Sequence, residues 1–188
     1  MCAKVNAADR RTGNLVMKVI LYRFAALLML TAVAACASPA KQESMIPTAV
    51  AGIGKNAKFA NALAVRNVIG GKKTNPLWVS NISSEAFKAS LTKALQTSGY
   101  QSAAGPFQVD AKLIEVKQPL IGIDMTVTTV VEYTVIDGTG TSVFKKTIRA
   151  PYTAKFSDSL LGVERLRLAN EGAGRENIRL FIEALGSA

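Results

Sequence analysis

Apolar positions change their spacing along the chain, and the spacing predicts the elements. From Ser84 to Ser98, residues Phe87, Leu91, Ala94 and Leu95 recur at i, i+4, i+7 and i+8, which places them on one face of a helix. Ser83 suits the N-cap, Glu85 sits in the first turn against the positive helix end, and Ile82 and Phe87 fall at the positions of a hydrophobic staple. Gly99 then supplies a left-handed stop. Upstream, Ala62 to Ile69 is a short apolar run interrupted by Arg66, and it predicts a strand. Gly70-Gly71-Lys72-Lys73-Thr74-Asn75-Pro76 predicts a loop.

Further along, the period changes to two. Phe107, Val109, Ala111 and Leu113 alternate with polar residues, as in a half-buried strand that Pro119 ends. Ile123 to Ile136 is a long β-branched stretch, with Ile123, Met125, Val127, Val131, Tyr133 and Val135 on one face. Asp137-Gly138-Thr139-Gly140 predicts a tight hairpin turn, and Thr141 to Lys155 the returning strand, with Val143, Phe144 and Ile148. After a short loop at Ser157-Asp158-Ser159, a final helix runs from Leu161 or Val163 to Leu185. Leu166, Ala169, Ala173, Ile178, Phe181, Ile182 and Leu185 approximate its apolar face. Gly172 and Gly174 each weaken that helix by about 1 kcal/mol relative to Ala, so they mark a kink or a close packing contact. The order β-α-β-β-β-α predicts an α+β two-layer sandwich. A mixed, mostly antiparallel sheet carries two helices on one face, and the first strand–helix–strand unit is expected as a parallel crossover.

The segment before this region is of another kind. Lys18 to Arg23 supplies positive charge, and the apolar run Phe24 to Ala35 follows. That run is shorter than the roughly 20 residues of a membrane span, but it suits the apolar core of a signal peptide. It ends in Val33-Ala34-Ala35-Cys36, which resembles the bacterial lipobox. The resemblance implies that Val33, Ala34 and Ala35 are read by a signal peptidase that cuts before Cys36. It also implies a diacylglyceryl group on the Cys36 thiol and an acyl chain on the new amino group. At about 0.8 kcal/mol per buried methylene, one chain anchors marginally and several anchor stably. The competing readings are an ordinary signal peptide with an incidental cysteine, or an uncleaved anchor. Met17 is the expected initiator, in which case Cys2 is absent from the product.

Residues 36–47 then read as a lipidated cysteine and a flexible tether, being small, polar and proline-containing, and residues 48–188 as a single α/β domain. By resemblance to other bacterial lipoproteins, Ala37 rather than Asp after the cysteine implies sorting to the outer membrane, facing the periplasm.

Charge adds a candidate surface. The whole chain carries a formal +10; removing Lys4, Arg10, Arg11, Lys18, Arg23 and Asp9 with the leader leaves 18 basic and 12 acidic residues. Much of the excess lies early, and Lys55, Lys58, Arg66, Lys72 and Lys73 form a candidate surface for an anionic lipid or glycolipid. A merely solvated face is the competing reading, and nucleic acid is not an expected partner. On the final helix, Arg165, Arg167, Glu171, Arg175, Arg179 and Glu183 read as an exposed face with Glu171–Arg175 and Arg179–Glu183 pairs. The functional alternative is a docking face made of Arg167, Glu171, Arg175 and Arg179.

Catalytic signals are few. The chain contains no histidine, which removes the commonest general base and metal ligand. Gly70-Gly71-Lys72-Lys73-Thr74 lacks the spacing of a phosphate loop, and Gly52-Ile53-Gly54 and Gly138-Thr139-Gly140 lack the third glycine of a dinucleotide site. Asp110, Glu115, Asp124 and Glu132 alternate with apolar residues, as solvent-side strand positions do, rather than forming a catalytic pair. No cofactor, metal or catalytic residue is expected.

The block Phe87-Lys88-Ala89-Ser90-Leu91 with Leu95 and Ser98-Gly99-Tyr100 resembles a recurring opening in small periplasmic lipoproteins, transport-auxiliary lipoproteins among them. Arg167-Leu168-Ala169-Asn170-Glu171-Gly172-Ala173, with Arg175 and Asn177-Ile178, is similar to their final helix. The resemblance spans roughly residues 60 to 185 and implies a non-enzymatic accessory or assembly part of an envelope machine, with an envelope protein as partner. Direct binding of an anionic lipid through residues 55–73 is the alternative. A histidine-free envelope enzyme ranks last.

Overall fold

Strand β1 (Leu63–Ile69) and strand β2 (Phe107–Lys117) run parallel because the chain between them crosses back through helix α1 (Ser84–Thr97). Strands β3 (Met125–Ile136) and β4 (Ser142–Ala154) then add in antiparallel hairpins, giving the sheet order β1-β2-β3-β4, and helix α2 (Gly162–Gly186) closes the chain. This computed structural model describes residues 36–48, 58–75 and 79–188. Its contacts separate the chain into two units, Met1–Cys36 and Ala37–Ala188, and the fold is that of the second. Val33, Ala34, Ala35 and Lys55 lie outside the described residues.

One sheet face is apolar and carries both helices. Val109, Ala111 and Leu113 of β2 and Val131, Tyr133 and Val135 of β3 share a core with Phe87, Leu91 and Leu95 of α1 and with Ile178, Phe181 and Ile182 of α2. The alternation read from the sequence is therefore the pleat of the sheet. The opposite face carries Asp110, Lys112, Glu132 and Thr134 in register. The expected α+β sandwich, with its element order, is the observed fold.

Local chemistry sets the boundaries of α1. The Ser83 hydroxyl accepts the Ala86 N–H at 3.1 Å, and the staple residues Ile82 and Phe87 are both buried. At the other end Gly99 takes φ 73°, the left-handed conformation that stops the helix.

One expectation needs correction, and one pair of alternatives is decided. Ile123 does not join the buried face of β3, because the strand begins at Met125, paired with Ala154. Asp124 ends the ladder instead: its carboxylate accepts the Phe156 N–H at 2.9 Å, which leaves Ile123 in an exposed loop. Of the two readings of Gly172 and Gly174, the close packing contact holds and the kink does not, since α2 runs continuously through both. They are close-packing positions, since a methyl group at Gly172 would lie 2.1 Å from the Tyr152 ring, and one at Gly174 would lie 2.8 Å from Met45 Sδ.

Candidate functional site

The N-terminal segment of the folded unit, expected as a flexible tether, is a strap fixed to α2 and to the chain ahead of α1. The Ala40 N–H donates to the Asn81 carbonyl at 3.1 Å, and the Lys41 N–H donates to Glu171 Oε1 at 2.9 Å. The Gln42 carbonyl accepts from Ser90 Oγ at 2.8 Å, and the Ser44 carbonyl accepts from Arg175 Nη1 at 2.7 Å. Glu43–Met45 form one 3-10 turn that drives Met45 into the core, fully buried beside Gly174. The composition of the segment is that of a linker, but one large apolar residue and a row of backbone partners outweigh it.

This strap accounts for much of the charge on α2. Glu171 is only 2 % exposed and pairs with Arg167 at 2.8 Å, not with Arg175. Arg167 also reaches Glu164 at 3.0 Å. Arg175 lies over the Tyr152 ring, 5.5 Å from its centre, while it holds the strap. Arg179 is partly exposed and is gripped by Glu176 and Glu183. The hydrogen bond from Arg179 holds the Glu176 carboxyl below its ordinary pKa. The four residues expected as a docking face are thus not one exposed surface. Arg167, Glu171 and Arg175 face inward onto the strap or its neighbours, and Arg179 stands apart.

The basic candidates are divided as well. Lys58 lies 5.2 Å from the centre of the Phe59 ring, ahead of β1. Arg66 is the extra residue of a bulge in β1 and makes a two-pronged pair with Asp110 of β2. Lys72 and Lys73 lie beyond the other end of the strand, on a loop fixed by the Lys72 N–H to Ile82 and by Asn81 Nδ2 to the Lys73 carbonyl. A strand of seven residues separates the first lysine from the last pair, about 23 Å at a strand's rise per residue. These cations line the edge of a sheet; they do not converge on one ligand.

At the end of the sheet where β2 finishes and β3 begins, apolar side chains stand in solvent. Leu120, Ile121 and Ile123 of the β2–β3 loop are 99 %, 91 % and 76 % exposed. Phe156, Leu160 and Leu161 of the β4–α2 connection are exposed too, and the Asp124–Phe156 hydrogen bond joins the two loops. The root of the first loop is rigid. Gln118 Nε2 donates to the Ser80 carbonyl at 2.9 Å and to Asn170 Oδ1 at 2.8 Å, while Asn170 Nδ2 donates to the same Ser80 carbonyl. Sequence reasoning missed this feature by extending the strand pattern through Ile123. The signal was present in Pro119-Leu120-Ile121-Gly122-Ile123, where Pro and Gly bracket apolar residues that no strand can bury.

One set of interior polar side chains, Tyr133, Asn177 and Thr129, bonds within itself and to nearby carbonyls. Tyr133 Oη donates to Asn177 Oδ1 at 2.8 Å, and Asn177 Nδ2 donates to the Thr129 and Ile148 carbonyls. Thr129 Oγ1 donates to the Ala173 carbonyl at 3.1 Å. Burial pushes the Tyr133 phenol well above its usual pKa. The network is buried and ties α2 to the sheet. Of the carboxylates on the sheet, Asp110 is held by Arg66, and Glu132 lies 3.2 Å from Lys145. Among the described residues no group of His, Cys, Asp or Glu side chains converges as metal ligands would, and no helix is long and apolar enough to cross a membrane. Cys36 is exposed, and its thiol is not in a disulfide.

Compared with known proteins, the chain matches no family and no curated relative. A solved structure does share the fold. A protein from Caulobacter crescentus CB15, described as a lipoprotein, superposes with a TM-score of 0.50 at 12 % identity, over 71 % of this chain and 93 % of that one. A hypothetical protein from Chlamydia trachomatis gives 0.48 at 12 % identity, over 69 % and 99 %. A minor lipoprotein from Acinetobacter baumannii gives 0.47 at 10 % identity, over 68 % and 94 %.

Proposed function

We propose that this chain is an exported lipoprotein of the bacterial envelope, held on a membrane by lipid on Cys36, with its α+β domain acting as a non-enzymatic accessory or assembly component. The observation that carries this reading is the position of Val33-Ala34-Ala35-Cys36: the lipobox-like motif ends where the folded unit begins, at Ala37. A cut before Cys36 leaves the strap, the sheet and both helices whole. The exposed thiol is open to an acyl donor. The fold shared with the Caulobacter protein described as a lipoprotein supports the same reading. Ala37 after the cysteine favours the outer membrane.

An accessory role fits a domain whose Tyr133, Asn177 and Thr129 bond to one another in the interior and whose Arg167, Glu171 and Arg175 secure its own strap. Binding of an anionic ligand along residues 55–73 is the weaker reading, because Lys58 and Lys72 stand at opposite ends of β1. The test is metabolic labelling with a fatty-acid probe, comparing the natural chain with Cys36→Ser, followed by cross-linking in native membranes. Label on the natural chain alone, and a reproducible cross-linked envelope protein, are expected. Equal labelling of both chains would sink the anchor, and repeated cross-linking without any partner would sink the accessory role.

A further inference from the structure

We infer that the domain sits on the bilayer surface with the β2–β3 loop and the β4–α2 connection dipped into the lipid interface. This rests on the anchor proposed at Cys36 and adds to it an orientation and a second membrane contact.

Three observations converge on one end of the fold. First, Leu120, Ile121 and Ile123 project almost bare from a loop whose root is fixed by Gln118, and Phe156, Leu160 and Leu161 extend the same apolar surface. A contiguous group of large exposed apolar side chains signals a contact surface, whereas scattered ones do not. Second, the anchor enters from this side. Ala40 is pinned to Asn81, and the Ser80 carbonyl beside it accepts from Gln118, two residues before Leu120. The strap runs in the same direction as α2, with Lys41 at Glu171 and Met45 at Gly174, so its upstream end is the one nearer the start of α2 at Gly162. Cys36 is four residues before Ala40 and is bound covalently within about 14 Å of it.

Third, the charge suits phosphate head groups. Lys72 and Lys73 on the loop after β1, Lys117 at the end of β2 and Lys155 after β4 are all exposed near these tips. Two carboxylates at this end turn to backbone groups: Asp124 to the Phe156 N–H and Asp158 to the Lys155 N–H. Glu85 offsets part of the charge on Lys73. Apolar tips inside a rim of lysines match the interface of an anionic bilayer, where apolar area and head-group attraction add. A protein partner would cover the same tips, but the lysines and the entry point of the anchor both favour lipid.

The test uses the full chain, processed in cells and purified with its lipid. Leu120→Cys and Gly138→Cys each introduce a thiol for an environment-sensitive fluorophore, Cys36 being occupied. Gly138 lies in the turn at the opposite end of the sheet, with nothing near its Cα that a side chain would meet. The proteins are reconstituted into vesicles of phosphatidylethanolamine and phosphatidylglycerol, with and without nitroxide-labelled lipid. The expected result is a blue-shifted emission at position 120, quenched several-fold more strongly by the nitroxide than at position 138. Equal, water-like emission at both positions, with the lipid on Cys36 verified by mass, overturns the membrane seat and leaves the anchor standing. A blue shift that nitroxide lipid does not quench means contact between two copies, and protection seen only in native membranes means a protein partner; either outcome overturns it. An unmodified Cys36 by mass removes the anchor, and the seat with it.

Discussion

Met45 fills the space that a side chain on Gly174 would take: a methyl group there would lie 2.8 Å from its sulfur and 3.2 Å from its Cγ. A residue of the strap and a glycine of the last helix, far apart in the chain, are thus shaped for each other. The helix gives up about 1 kcal/mol of propensity by keeping glycine at that site. In return the strap buries a whole methionine side chain.

Replacing Gly174 with Leu should expel Met45 and release the strap. Losing the burial of a methionine costs about 1.5–3 kcal/mol. Hydrogen exchange should show the loss concentrated at residues 40–46, with the sheet still protected at temperatures below unfolding. Unchanged exchange across the strap would show that the contact contributes nothing.

The Arg167–Glu171 pair makes a second, sharper prediction. Arg167→Met leaves a carboxylate that is almost entirely enclosed and, among the described residues, has only the Lys41 N–H for company. Breaking such a pair costs about 3 kcal/mol, the low end for a buried pair, because water still reaches part of the arginine. Adding Glu171→Leu should restore part of that loss, since the double variant no longer buries an unpaired charge. Denaturant unfolding of both variants decides it, and strictly additive losses would contradict the account.

These residues also show where the sequence could be read and where it could not. Helix α1 was legible because its signals are local: a serine cap, a staple and a stop glycine all fall within a few residues of the element they control. The strands were legible from their alternation. Of the two pairs read on α2, Arg179–Glu183 forms at its i, i+4 spacing, whereas Glu171–Arg175 does not, because Glu171 and Arg175 answer to backbone groups 130 and 131 residues away. The exposed loop was hidden for a related reason. Periodicity does not reveal where a strand starts, and β3 starts at Met125, after the Asp124 side chain has bonded across to Phe156 and left Ile123 in the loop. Of the candidate site, Cys36 is proposed from its sequence neighbours alone, while the apolar end of the sheet required the fold.

The apolar tips of that end should be dispensable for folding. Leu120 and Ile121 are almost fully exposed, so Leu120→Asp with Ile121→Asp removes almost no buried area. Changes of this kind at exposed sites stay within about 0.5 kcal/mol. The melting temperature should hold and solubility without lipid should rise. A large fall in melting temperature would mean that the loop packs within the fold.

Tyr133 sets the response to alkali. Its ring stacks on Phe181 with centres 4.0 Å apart, and its hydroxyl is enclosed with Asn177. Burial raises the pKa of the phenol in the folded state above its unfolded value, so above about pH 10 the unfolded chain gives up a proton that the folded chain retains. Stability is therefore whole below that pH and falls as pH rises further, by about 1.4 kcal/mol per pH unit for this one group. Tyr100 is shifted the same way by burial and adds a smaller slope. Tyr133→Phe keeps the stacked ring but leaves Asn177 Oδ1 without its donor, which costs about 1–3 kcal/mol at neutral pH. The same substitution should flatten most of the alkaline loss, so the natural and variant stabilities converge as pH climbs. Urea unfolding from neutral pH to about pH 11 measures both effects, and parallel curves would show that the phenol is not the group that titrates.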